Sequence, residues 1–425
     1  MKLMVIGGGG REHAIIKSLK KSDKIEVIYA LPGNGGIAED ATCVDIAATD
    51  IPGAVQFAKD NAIDFCVVAP DDPLVLGMVD PMTAIGVPCF GPDKKAAIIE
   101  GSKVFSKDLM RKYNIPTAEY AVFDNANTAI AHLDSCRFPI VIKADGLALG
   151  KGVLICDSKD EAIEGIKSIM QDKQFGTAGD TIVIEEFLTG PEVSVLAFTD
   201  GSTVKPMVSS MDHKRAHDND EGLNTGGMGT IAPNPCYTDD IANRCMDEIF
   251  LPTINAMKSE GRPFKGCLYF GLILTENGPK VIEYNCRFGD PEAQVVLPLL
   301  KTDLLDIMLA TANGTLEQLD IEWSEGAACC VMVVSGGYPE SYKKGYPIDA
   351  GAASEIATLY HSGTALKENV LVTNGGRVIG VTAIANDLET AITKAYEAAE
   401  QVKFEGAYMR HDIGKKALES LAERR

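Results

Sequence analysis

The stretch richest in chemistry is VIEYNCRFGDPEAQ, residues 281–294. A strand alternates its side chains, so Glu283 and Asn285 fall on one face, about 7 Å apart along the backbone. One charged and one neutral oxygen at that spacing suit a divalent cation shared with substrate phosphates. Arg287 continues the face, and a guanidinium there can hold a carboxylate or a phosphoryl group in flight. A purely structural reason for Glu, Asn and Arg on one face of an interior strand is hard to find.

Two more clusters point the same way. VIKADGLALGKGV presents Lys143 from a buried strand and Lys151 from the loop Gly150-Lys151-Gly152. It is not a Walker A loop, because Gly152 stands where that motif needs Ser or Thr. A glycine-rich hairpin with a lysine still clamps a triphosphate through N–H groups and point charge. Lys103 opens a helix after Gly101-Ser102. Each lysine taken alone also reads as an ordinary surface residue. In IEEFLTGPEVSV, Glu185 and Glu186 end an apolar strand and Glu192 follows. These acids suit ribose hydroxyls and an adenine amine, or a solvated strand end.

MVIGGGGREHA, residues 4–14, runs a short strand into four glycines, a backbone suited to bend around a phosphate. A dinucleotide site needs G-x-G-x-x-G and an acid about twenty residues on. Glu12 or His13 occupies the third glycine position, and the second strand ends in Pro-Gly, so that reading fails. A second glycine turn, Pro32-Gly33-Asn34-Gly35-Gly36, follows the next strand on the same sheet edge. Gly8, Gly9, Gly10, Asn34 and Gly35 then border either a sugar-phosphate pocket or two tight turns without a ligand.

The elements that must position these groups fall into three regions. Residues 1–102 alternate apolar strands with helices, which implies an open parallel sheet covered on both faces. A loop is expected after DFCVVAP. From Gly101 the strands alternate in antiparallel fashion around long helices, and HDNDEGLNTGGMGTIAPNP reads as a long polar loop. From about residue 325 the chain is strand-rich with a late helix and shows no cluster suggestive of chemistry. The class is α/β, α+β overall, with domains at 1–102, 103–324 and 325–425.

Composition narrows the function. Of 425 residues 46% are hydrophobic, which suits ordinary globular domains. Forty basic against sixty acidic residues leave a net charge of −20, so nucleic acid is an unexpected partner. The 11 cysteines are scattered without CxxC spacing, as buried reduced thiols are. There is neither a leader-like apolar segment nor a membrane-length run, and a soluble cytoplasmic protein is expected.

Taken together, VIGGGGREHA, PGNGG, DDPLVLGMVD, GSKVFSK, VIKADGLALGKGV, DHKRAHDNDEGLNTGGMG, VIEYNCRFGDPEAQ, VVSGGYP and TNGGRVIGVTA resemble the ATP-grasp superfamily and, within it, the phosphoribosylamine–glycine ligase family. The resemblance implies an N-terminal sugar-phosphate domain, a central ATP-grasp domain with a mobile lid over about 120–187, and a C-terminal domain. It implies ligation of 5-phosphoribosylamine and glycine through glycyl phosphate, with ATP giving ADP and phosphate, in purine synthesis. The glycine loop would hold the sugar's 5-phosphate. Lys103, Lys143, Gly150, Lys151 and Gly152 would contact ATP phosphates; Glu185, Glu186, Phe187 and Leu188 would line adenine, and Glu192 the ribose. Glu283 and Asn285 would bind Mg²⁺ or Mn²⁺, with Arg287 and Asp290 facing the acyl phosphate. Asp212, His213 and Lys214 would edge the glycine site, with Asn224, Gly226 and Gly227 close. His213 is a candidate proton acceptor for the attacking amine, with an orienting or structural role as its equal alternative.

Two departures stand out. Gly271 occupies about the position where many ATP-grasp enzymes carry a further acidic metal ligand. Ala69-Pro70-Asp71 stands where the family commonly has Gly-Pro-Glu, so a contact from Asp71 to ribose would be shortened by a methylene. A stand-alone enzyme, monomer or weak homodimer, is expected. Another ATP-grasp ligase or carboxylase is the nearest alternative, and a non-catalytic nucleotide sensor the more distant one.

Overall fold

The computed structural model describes residues 1–147 and 152–423. Near the N-terminus lies a five-stranded parallel sheet, in spatial order Thr42–Cys43, Val27–Pro32, Lys2–Gly7, Phe65–Val68 and Cys89–Phe90. Along Lys2–Gly7, Leu3 and Val5 enter one apolar core while Met4 and Ile6 enter another. Both faces are therefore covered, as a parallel sheet requires. The strand order reverses between Lys2–Gly7 and Phe65–Val68. A crevice at the carboxyl ends of such a pair is where open α/β sheets take ligands. The glycine turn leaves one of those ends. The other leads through Pro70 into the helix Asp71–Leu76, not into the expected loop. Asp71 thus lies in the first turn of a helix, where a carboxylate is favoured.

The central sheet is antiparallel, ordered Val204–Pro206, Glu192–Asp200, Lys265–Thr275 and Gly278–Asn285. A second antiparallel sheet, ordered Tyr120–Phe123, Ile182–Glu186, Ile140–Ala144 and Val153–Cys156, carries the helices Ala126–His132 and Lys159–Met170. These elements bury a small core of their own, including Ala129, Ile142, Ile166 and Ile184.

The remaining large sheet is ordered Met211–Asp212, Gly229–Ala232, Ala327–Ser335, Arg377–Ala385 and Thr358–His361. Its first two strands come from before residue 324, so this sheet crosses the boundary expected there. Gly229–Ala232 and Glu221–Asn224, which pairs with Arg215–His217 as a hairpin, lie inside the stretch read as a loop. Glycines and charges hide both from a periodicity search. Val331 and Val333 share a core with Leu3 and Val5, so the first and last sheets close on one another. That closure brings C-terminal side chains to the carboxyl edge of the N-terminal sheet.

Candidate active site

Glu283 sits at the end of Gly278–Asn285, opposite Gly271 on the neighbouring strand. A Cβ on Gly271 would lie 3.1 Å from Glu283 Cγ, so glycine there leaves room for the Glu283 side chain. Burial disfavours its charge, but Lys214, Lys143, Lys103 and Arg287 together hold its carboxyl below the usual range. Lys214 Nζ lies 3.3 Å from Glu192 and 4.0 Å from Glu283, and its own pKa is driven well up, first by Glu192. Lys103 donates to Gly146 O at 2.8 Å; burial lowers it, with Glu283 opposing. Several ammonium groups around one carboxylate form a cleft suited to phosphates. Among the described residues no three His, Cys, Asp or Glu side chains gather as a closed metal site. Glu283 and Asn285 together fit a hard cation that takes its other ligands from phosphate.

On the adenine side, Glu185 is buried, 2.8 Å from Lys107 Nζ and 3.1 Å from Lys143 Nζ. Its carboxylate is therefore occupied by two lysines. Lys107 escaped the sequence reading, although it lies one helical turn beyond Lys103. Burial, opposed by Glu185, brings it down to about 8. Glu186 takes Lys280 Nζ at 3.0 Å and the Glu119 amide at 3.0 Å. Phe187 is exposed and Leu188 half-buried. Gly152 O accepts the Ala144 amide at 2.8 Å. Gly150 and Lys151 lie outside the described residues.

Arg287 is half-buried between carboxylates. Its Nη2 lies 3.0 Å from Glu100 Oε1 and 3.3 Å from Asn285 Oδ1. Asp71 adds its field, and despite burial Asp71 is held below the usual carboxylate range by Arg287 and Arg11. Glu100 was also missed. It ends the helix Lys94–Gly101, and no local pattern marks it.

The glycine turn differs from the expected phosphate cradle. The Gly9 amide donates to Glu12 Oε2 at 2.6 Å, and Asp290 accepts the Arg11 amide. Two carboxylates thus occupy the N-terminus of Gly10–Leu19, where a phosphate would need free donors. Asn34 is likewise engaged. Its Nδ2 donates to Gly8 O at 2.9 Å and His361 O at 2.7 Å, while Oδ1 caps Gly36 and Ile37. Gly35 donates to Thr364 O at 3.2 Å. The second turn is a staple to the C-terminal region.

That region, in which the sequence shows no cluster suggestive of chemistry, sends one arginine to the expected site residues Gly226 and Asp290. Arg377 Nη1 donates to Gly226 O and to Asp290 O, both at 2.7 Å, and Nη2 lies 3.3 Å from Asp290 Oδ2. Against burial, Arg377 and Arg11 keep Asp290 below the usual range. The signal available was one arginine in the apolar run GGRVIGVTAIA.

Asp212 and Lys214 reach the cleft; His213 does not. Asp212 Oδ1 is buried without a hydrogen-bond partner, 2.6 Å from where a Cβ on Gly227 would stand. Burial, then Glu292, push its carboxyl well up. His213 Nε2 accepts the Gly414 amide at 3.1 Å, and Nδ1 lies 3.2 Å from Gly229 O, which fixes the proton on Nδ1. Both nitrogens are used by backbone, so neither is free to take a proton from an attacking amine. Asn224 pairs with Arg215 in the hairpin.

Burial lowers His213 from 6.5 to about 4. Between those values the unfolded chain binds more protons. The stability His213 contributes is full above about 6.5 and falls as pH drops toward 4. His213→Gln is expected to flatten that limb of the Tm-versus-pH curve and leave the shape of the kcat–pH profile unchanged. A displaced kinetic pKa would restore His213 as the proton acceptor.

The antiparallel central sheet, the second sheet beside it and the lysines between them define the ATP-grasp class. The family described as Phosphoribosylglycinamide synthetase, ATP-grasp (A) domain, matches residues 101–293; its N domain matches 1–100 and its C domain 328–416. The chain belongs to the phosphoribosylamine–glycine ligase family. It is 48% identical over 413 residues to the phosphoribosylamine–glycine ligase of Caldanaerobacter subterraneus subsp. tengcongensis, covering 97% of this chain and 99% of that protein. It is 45% identical to part of the trifunctional purine biosynthetic protein adenosine-3 of Gallus gallus, covering 100% of this chain and 43% of that one. The solved phosphoribosylamine–glycine ligase of Thermotoga maritima matches with a TM-score of 0.87 at 34% identity, covering 97% and 100% of the two chains. A biotin carboxylase domain from Hydrogenobacter thermophilus shares the fold, with a TM-score of 0.72 at 16% identity over 96% and 91%.

Proposed function

We propose that this chain ligates 5-phosphoribosylamine to glycine at the expense of ATP, a step of purine biosynthesis. A glycine carboxylate oxygen attacks the γ-phosphorus of ATP, giving glycyl phosphate and ADP. The sugar amine then attacks the acyl carbon, loses a proton and expels phosphate. The observation that carries this reading is the convergence of Lys103, Lys143, Lys214 and Arg287 on the strand end bearing Glu283 and Asn285.

Lys103 and Lys143 would hold the ATP phosphates, and Arg287 the transferring group. Glu283 and Asn285 would hold Mg²⁺ or Mn²⁺, which neutralises phosphate charge. Asp212 and Glu292 would receive the ammonium group of glycine, whose charge would favour the ionised form of Asp212 against its burial. The sugar would lie along the glycine turn. There Glu12, Asp290 and Asp71 suit its hydroxyls and amine better than its phosphate. Residues 120–187 would close as a lid and exclude water from glycyl phosphate. The domain division at 102 and 324 belongs to this reading, as does a monomer or weak homodimer. A cytoplasmic location is supported by the free cysteines, most of them buried. Among the described residues no helix is long and apolar enough to cross a membrane.

ADP release should require Mg-ATP, glycine and fresh phosphoribosylamine together. Release that is indifferent to glycine would point instead to another carboxylate acceptor.

A further inference from the structure

Glu100 is 7% exposed and belongs to the N-terminal domain's last helix, yet it contacts the strand end that handles phosphate. Its two oxygens do different work. Oε2 accepts the Cys286 amide at 2.7 Å, and Oε1 lies 3.0 Å from Arg287 Nη2. One carboxylate thus grips both the backbone before Arg287 and its guanidinium. The same Nη2 donates to Asn285 Oδ1 at 3.3 Å, and Nη1 donates to Phe288 O at 3.3 Å.

Arg287 has few other anchors. Its Nε is buried without a partner. Asp71 acts on it only through its field, no direct bond joining them among the described contacts. An arginine has many rotamers, and a guanidinium that stabilises a transferring group must be held within about half an ångström. Glu100 is the group placed to do this. Such a buried carboxylate is costly unless it is paired and hydrogen-bonded, and both of its oxygens are satisfied. Glu100 lies three residues before Lys103, so the segment that fixes Arg287 also delivers a phosphate-facing lysine.

We propose that Glu100 is a positioning residue for the ligation: it sets the direction of the Arg287 guanidinium, and through it the Asn285 amide, from the opposite domain. This rests on the ligase reading above. Glu100 touches no reacting atom, and its effect runs through Arg287.

The test compares Glu100→Gln and Glu100→Asp with the intact chain in the three-substrate assay. ADP binding is measured by calorimetry and folding by thermal melting. Gln keeps the size and an acceptor for Cys286 but removes the charge facing Arg287. We expect kcat to fall about 30-fold in Glu100→Gln, ADP affinity to stay within about two-fold, and the melt to remain a single transition. Asp keeps the charge but is one methylene short, and should recover part of kcat. Unchanged kcat in Glu100→Gln would overturn the proposal. So would equal losses of kcat, ADP affinity and Tm, which mark a merely structural residue. If Gln does not fold, Glu100→Asp decides alone by the same split between kcat and ADP affinity. An intact chain that releases ADP without all three substrates would sink the ligase reading instead, a separate outcome read from the same assay.

Discussion

Arg287→Ala is expected to lower kcat by about 10²–10³, the usual loss when one preorganised donor to a developing charge is removed. The KM for ATP should change little, because Lys103 and Lys143 are untouched. Stability should fall as well. Glu100, 7% exposed, would lose its one ion-pair partner among the described residues, and breaking a buried pair from one side typically costs about 3–5 kcal/mol. Arg287→Lys is the sharper comparison. Lysine restores one positive charge but cannot reach Glu100, Asn285 and Phe288 O with a planar fork. It should recover much of the Tm and little of the kcat. Steady-state kinetics and thermal melts on the same preparations check both. An Arg287→Lys enzyme with near-normal kcat would show that charge suffices and direction does not matter.

The second large effect is expected from the C-terminal region. Arg377→Ala removes both hydrogen bonds to the carbonyls of Gly226 and Asp290, and the ion pair to the Asp290 carboxylate. Among the described residues, Asp290 would keep Gln294 Nε2 at 2.7 Å and the Arg11 amide. The loop at residues 226–227 would keep the bond from the Gly226 amide to Tyr338 OH at 3.0 Å. Asp290 borders the glycine turn and Gly227 packs on Pro291 and Asp212, so kcat/KM for phosphoribosylamine should drop about 10²-fold, as expected for a misplaced reactant. The KM for ATP should stay within about two-fold. Equal losses on ATP and on the sugar amine would mean that Arg377 merely holds the fold.

The strand end was legible because its chemistry is local. Glu283, Asn285 and Arg287 share a face by strand alternation alone, and the structure keeps them together. The five-stranded parallel sheet was legible for a similar reason, since apolar runs between helices leave few alternatives. Glu100 and Arg377 were not, because each meets its partner only after sheets distant in sequence have packed. His213 misled in the opposite way. A histidine beside Asp212 and Lys214 looks catalytic until the backbones of Gly229 and Gly414 are seen to take both ring nitrogens. The glycine turn shows the same limit. Four glycines announce a close approach, but not that Glu12 and Asp290 would supply the anions.

The central claim is that ATP activates the carboxylate of glycine before the sugar amine attacks. Glycine labelled with ¹⁸O in its carboxylate, turned over with Mg-ATP and phosphoribosylamine, tests it directly. One ¹⁸O should leave in each inorganic phosphate and one should remain in the product amide, as the glycyl phosphate route requires. Phosphate free of ¹⁸O would contradict the account, whatever the rate of ADP release.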